Sequence, residues 1–113
     1  MYGLPKDFDG DFLVGRILEM ICFNANQVYL HFDSKTHIQI ESSLSYGDAQ
    51  RVDVPVRQPT FLDLLECSVV SARGDEEGTL TLSFSNGRVL RIYEETKQYE
   101  CYTIRYGGTE IIV

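Results

Sequence analysis

Two histidines, His31 and His37, are the residues of this chain best suited to chemistry, because imidazole changes charge near neutral pH and is also a common metal ligand. They fall in segments that read as the two arms of a hairpin. The register argued below sets them opposite one another on its outer face, within reach of one metal ion. Zinc takes three or four protein ligands and no third can be assigned, so a solvated pair is expected, without metal or other cofactor. Asp7-Phe8-Asp9-Gly10-Asp11 hints at a calcium loop. An EF-hand needs glycine sixth and glutamate twelfth, whereas Gly10 falls fourth, so a polar turn is the expectation. Cys22, Cys67 and Cys101 are an odd number with no CxxC or Cys/His metal spacing; they read as free, small buried groups in a reducing compartment. No GxSxG, HExxH, phosphate-cradling glycine loop or nucleotide fingerprint occurs. The carboxylate groups Glu94-Glu95 and Asp75-Glu76-Glu77 lie in expected turns, where solvated loops are the plain explanation. Catalysis is therefore not expected.

The elements that must position these residues are strands. Val28-Tyr29-Leu30-His31-Phe32 and Leu80-Thr81-Leu82-Ser83-Phe84 alternate apolar with water-tolerant residues, the period of half-buried strands. Return strands follow at Thr36 to Ile40 and Arg88 to Ile92. The two hairpins are copies: residues 13–41 reappear, 52 positions later, as residues 65–93, apolar over apolar. Register follows from the rule that inward residues face inward ones. A two-residue Asn86-Gly87 turn would throw Leu90 and Ile92 onto the wrong face. A three-residue loop, Ser85-Asn86-Gly87, instead pairs Leu82 with Leu90 and Leu80 with Ile92, and sets Gly87 where a bulge needs a left-handed residue.

Apolar segments at Leu13 to Phe23 and Leu65 to Ala72 make each copy a three-stranded meander. One such sheet with a single apolar face is marginal alone, so two must pack together. Between the copies lies a candidate edge strand, Arg51 to Val56, with Pro55 barring a central position. Thr60 to Leu65 reads as one helical turn capped by Thr60. A closing pair, Tyr99 to Tyr106 and Thr109 to Val113, turns at Gly107-Gly108. The expectation is a single all-β domain over residues 1–113, with seven to nine strands and at most one short helical turn, packed as a small sandwich or partly open barrel.

Charge and length exclude further classes. A chain of 113 residues with 43% apolar and 24% charged residues is an ordinary globular domain. Its net charge of −7, with ten scattered Lys and Arg, argues against nucleic acid and favours a basic partner. No apolar run approaches a membrane span, and the opening Met1 to Asp7 lacks a secretory pattern; a cytoplasmic location is the expectation.

Leu82-Ser83-Phe84-Ser85-Asn86-Gly87-Arg88-Val89-Leu90-Arg91-Ile92-Tyr93 with Gln98-Tyr99-Glu100, and Phe12 to Leu18 with Phe32 and Ile40-Glu41, resemble the signature of a family of short bacterial β-proteins without an assigned activity. The resemblance implies this fold and a bacterial origin, and brings no cofactor or catalytic residue.

Four tyrosines, Tyr93, Tyr99, Tyr102 and Tyr106, crowd the last quarter among Glu94, Glu95 and Glu100, and tyrosine beside acidic residues suits a surface for a basic protein. The leading expectation is a small acidic interaction module, for example an immunity-type or inhibitory partner of a basic bacterial protein. The alternatives are a β-barrel or sandwich holding a small ligand, and a homodimer through an open sheet edge. One stability test follows from the repeat. Lys35 occupies the place of Gly87 in the first copy, so Lys35→Gly should raise the midpoint of thermal unfolding.

Overall fold

The computed structural model describes residues 3–33, 35–54, 61–96 and 100–113. Ten strands form, β1 (Met20–Phe23), β2 (Val28–Asp33), β3 (Thr36–Ile40), β4 (Ser43–Tyr46), β5 (Val52–Asp53), β6 (Val69–Gly74), β7 (Leu80–Phe84), β8 (Val89–Tyr93), β9 (Tyr102–Tyr106) and β10 (Thr109–Ile112). They make two antiparallel five-stranded sheets, ordered β1-β2-β3-β9-β10 and β5-β4-β8-β7-β6, stacked as a sandwich without barrel closure. Alternation decides the inner faces: Val28, Leu30, Phe32, Ile38 and Ile40 from one sheet meet Leu80, Leu82, Phe84, Leu90 and Ile92 from the other, all at most 2% exposed.

The β7–β8 register is the expected one. Leu80 lies opposite Ile92 and Leu82 opposite Leu90, and Gly87 has φ +80°. The first hairpin departs from its copy after placing His31 opposite His37: a bulge follows, and Asp33 lies opposite Thr36. The expected three-residue loop Asp33-Ser34-Lys35 would have set Phe32 opposite Thr36; Asp33 lies there instead, so Lys35 does not take the place of Gly87, and Ser34 lies outside the described residues. Asx side chains open the turns by accepting the N–H two residues on, Asp9 from Asp11, Asn24 from Asn26, Asp33 from Lys35, Asp75 from Glu77 and Asn86 from Arg88. Two 3-10 turns form, Gly10–Leu13 and Phe61–Leu64, one more than expected. Thr60, the expected cap of the second, and Pro55 lie outside the described residues. The β4 strand was not anticipated. It is only four residues, and its Ser43 and Ser45 are buried polar groups that break the apolar alternation.

The repeat is wider than the sequence suggests, and not gapless. Ile21 faces Leu30 in one copy and Ala72 faces Leu82 in the other, so the leading segments are related by 51 positions and the hairpins by 52. The extra residue sits in the loop Asp75 to Thr79, which joins Gly74 to Leu80, whereas Asn24 to Gln27 joins Phe23 to Val28. The shift corrects the expected match of Ile17 with Val69. Leu18 and Val69 are the equivalent core residues, at 0% and 1% exposure. The 3-10 turns Gly10–Leu13 and Phe61–Leu64 are also equivalent, with Leu13 and Leu64 both fully buried.

This equivalence makes the molecule pseudo-twofold. The axis passes the bridge between Ile17 and its own counterpart Ser68. Around it the hydrogen bonds come in matched pairs: Leu18 N–H to Cys67 O and Val69 N–H to Arg16 O, both 2.9 Å, then Gly15 N–H to Val69 O and Glu66 N–H to Leu18 O, both 2.8 Å. On the far side the halves trade strands. β4 follows β3 in the chain but pairs with β8, and β9 follows β8 but pairs with β3, so each sheet is completed by a hairpin from the other half.

Glu66 is the only non-glycine with positive φ among the described residues, at +70°, and its counterpart is Gly15 at +87°. A left-handed L-residue costs roughly 1–2 kcal/mol, of which the added chain entropy of glycine takes back part. Glu66→Gly should therefore stabilise the protein by about 0.5–1 kcal/mol in urea unfolding.

Candidate functional site

The outer face of the first sheet gathers the sequence's best chemical groups. Cross-strand pairing sets Met20, His31, His37, Arg105 and Glu110 in one row and Cys22, Tyr29, Gln39, Thr103 and Ile112 in the next. The two imidazole centroids are 5.3 Å apart, and the Tyr29 ring lies 5.9 Å from His31 and 6.3 Å from His37. Arg105 Nη1 lies 3.4 Å from His37 Nε2. A guanidinium only donates, so that nitrogen accepts and its lone pair is engaged. Arg105 also donates to Gln39 Oε1 at 3.3 Å and to Glu110 Oε2 at 2.7 Å. Burial lowers the His37 pKa, with the neighbouring His31 and Arg105 adding to the effect. Among the described residues no group of three His, Cys, Asp or Glu side chains is arranged to hold a metal ion.

Asp9, the centre of the calcium-like run, caps the Gly10–Leu13 turn and accepts the Asp11 N–H at 2.9 Å. The three cysteines are free thiols, with Cys101 buried and Cys22 and Cys67 half-buried. Asp75 is spent on its own loop, taking the N–H groups of Glu77 and Thr79.

The tyrosine and glutamate set does not form one surface. Tyr102 is fully buried in the core, where its hydroxyl donates to the Gly78 carbonyl at 2.7 Å, so it presents nothing to a partner. Burial, followed by the nearby Glu94, Asp75 and Cys101, raises its phenol pKa further above its ordinary value. Tyr106 stacks on Phe12 with centroids 3.9 Å apart. Tyr93 lies under the Arg51 guanidinium at 4.3 Å and shares a 2.8 Å hydrogen bond with Ser45. Arg51 also holds Glu95 at 3.2 Å. Glu94 is half-buried against Gly78 with Oε1 inside and no hydrogen-bond partner, Glu100 is exposed, and Tyr99 lies outside the described residues.

A different surface emerges at the pseudo-twofold seam. Of the eight large apolar residues exposed among those described, Val14, Ile17, Met20, Phe23, Leu62, Leu65 and Val70 all lie in the two segments that cross there; only Val52 lies elsewhere. The sequence carried a signal for them. Val14, Ile17, Leu62, Leu65 and Val70 are each the outer member of an apolar doublet, whose inner members Leu13, Leu18, Phe61, Leu64 and Val69 are at most 1% exposed. Neighbouring residues point opposite ways in extended chain, as at Ile17-Leu18 and Val69-Val70, and stand about a third of a turn apart in or beside a 3-10 turn, as at Leu13-Val14, Phe61-Leu62 and Leu64-Leu65, so in both cases an apolar doublet puts one apolar group outside. Beside the seam lie two open depressions, of about 530 and 600 Å³, which share Phe8 and Gly74. Val14, Val70, Asp9, Asp11 and Arg73 line the first, and Leu4, Lys6, Asp75 and Glu76 the second. Both lie alongside the N-terminal segment and β6, outside the sandwich.

Fold and surfaces together define an internally duplicated, all-β sandwich whose distinctive groups lie on open faces. The chain belongs to the family of unknown function DUF6188, which matches residues 11–113. No curated protein and no solved structure matches it. Among the described residues no helix is long and apolar enough to cross a membrane.

The histidine face gives a pH dependence of defined sign. His37 binds its proton less readily folded than unfolded, so its neutral form favours the fold above about pH 6.5, and this stability is lost as pH falls through that value toward the lower folded pKa. Urea unfolding should show lower stability at pH 5 than at pH 7.5, with the difference reduced in His37→Gln.

Proposed function

We propose that the protein acts by binding, as a small acidic interaction module for a basic bacterial protein in the cytoplasm, in the manner of an immunity or inhibitory partner. The observation that carries this reading is the exposure of the apolar side chains Val14, Ile17, Leu65 and Val70 in the two segments that cross at the seam. Apolar groups set together at a surface, with charges around them, are the make-up of a protein-binding face. Asp11, Glu19, Asp63 and Glu66 are exposed in the same segments, and of their two cations Arg16 is neutralised by Asp33 at 2.5 Å while Arg73 lies toward the far end of β6. An acidic rim around an apolar centre fits a basic surface and speeds its encounter. The open edge of β10 is the place for the homodimer alternative.

Titration calorimetry against any basic protein whose gene adjoins this one tests the proposal. Ile17→Asp and Leu65→Asp should each weaken binding about tenfold or more, and affinity should fall with salt. Tyr93→Ala should change it less than twofold. Full affinity in the Ile17→Asp, Leu65→Asp double variant would remove the seam from the proposal. A dimer in sizing chromatography that persists in that variant would favour the β10 edge.

A further inference from the structure

The outer face of the second sheet is the molecule's other anomaly. Its outward positions on β4, β8, β7 and β6 are Ser43 and Ser45, then Val89, Arg91 and Tyr93, then Thr81 and Ser83, then Ser71 and Arg73. None is a carboxylate, in a chain with 17 Asp and Glu against 10 Lys and Arg. The nearest outward acid in the sheet is Asp53, on the far edge strand β5. Arg73, Thr81, Arg91 and Ser45 stand in one cross-strand row, and both arginines are exposed. Neither has a hydrogen bond or ion pair among the described residues, although Asp9 and Asp11 border the same depression as Arg73. The contrast is with Arg16, Arg51 and Arg105, each held by an acid. The hydroxyls of Thr81, Ser83 and Ser71 are likewise without partners among the described residues.

Internal duplication supplies the control. The positions equivalent to Arg73, Thr81 and Arg91 on the first sheet are Cys22, Tyr29 and Gln39, on the same scaffold and in the same register. The fold therefore needs no charge there. Two cationic side chains about 10 Å apart, two cross-strand steps, and free hydroxyls between them form a surface poised for anions.

We propose that this face, through Arg73, Arg91 and Thr81, docks an acidic peptide segment of a partner protein, the two guanidinium groups taking carboxylates and the Thr81 hydroxyl donating between them. Charge complementarity carries the choice of occupant. A lone phosphate gains little on a flat, solvated face, where ion pairs are weak one at a time and several must act together. Nucleic acid is disfavoured twice. The chain's net charge of −7 repels a long polyanion, and the one aromatic ring of the face, Tyr93, is already covered by Arg51. This face meets the seam at Arg73, which lines the same depression as Val14 and Val70, but Thr81 and Arg91 lie further in, on β7 and β8, so loss of peptide binding in Arg91→Gln, which leaves the seam untouched, separates this proposal from the seam reading.

The test is binding of a fluorescent peptide of alternating glutamate and threonine to the full chain at low salt, read by anisotropy. The expected result is salt-sensitive binding that weakens at least tenfold in the Arg73→Gln, Arg91→Gln double variant and several-fold in Thr81→Val. A Lys6→Gln, Lys35→Gln variant removes the same charge elsewhere and should stay within twofold of the parent. Absence of peptide binding, equal loss in the lysine variant, equal affinity for inorganic phosphate, or tighter binding of oligothymidylate would each overturn the proposal. So would concentration-dependent dimerisation without peptide that the arginine variant abolishes, which would make the chain's own acidic loops the occupant. The arginine and lysine positions are exposed and Thr81 is half-buried on the outer face, so none of the substitutions enters the core, and an unchanged thermal unfolding midpoint confirms that each variant is folded.

Discussion

The exchange of hairpins between the two halves is the constraint on which the rest of the structure depends. β3 needs β9 beside it and β8 needs β4, so neither sheet is complete until the chain has crossed from one half to the other twice. Leu44 and Tyr102 show what the exchange does. Each fills the core from a borrowed strand, Leu44 opposite Ile92 and Tyr102 opposite Ile40, at 1% and 0% exposure. Apolar burial and strand pairing are thereby coupled across the whole chain, and the seam hydrogen bonds around Ile17 and Ser68 close the opposite side. Unfolding of one half strips strands from the other, which favours all-or-none behaviour.

How much of this was legible depended on how local the determinants are. Alternation in Val28 to Phe32 and Leu80 to Phe84, and the single left-handed residue at Gly87, are properties of short stretches, and they give strands, inner faces and register. Pairing between β3 and β9 spans more than 60 positions and leaves no mark in either stretch. The same limit explains Tyr102. Beside Glu100 it reads as a wet aromatic, but Gly78, far away in sequence, satisfies its hydroxyl and lets the ring enter the core. The seam was legible in principle from the apolar doublets, although their inward and outward members change places when the leading segments are aligned one residue off.

Duplication separates what the fold requires from what it merely carries. Equivalent inner positions hold similar residues, as with Leu30 and Leu82, or Ile40 and Ile92. Equivalent outer positions do not: His37 answers to Val89, Tyr29 to Thr81 and Gln39 to Arg91. The two outer faces thus offer different chemistry on one frame, imidazole and phenol on the first sheet, guanidinium and hydroxyl on the second. Function in such a molecule belongs to its faces, since the interior only has to be filled.

Each crossing hairpin finds its acceptor in the other half of its own chain, yet every neighbouring molecule offers an identical acceptor. During synthesis the β4–β5 hairpin must wait for β8, which emerges some 40 residues later. In that interval concentration enters the outcome, because a crowded nascent chain can lend its hairpin to a neighbour and become an interlocked pair. The short span between β3 and β4, only Glu41 and Ser42, is where such an exchange would hinge.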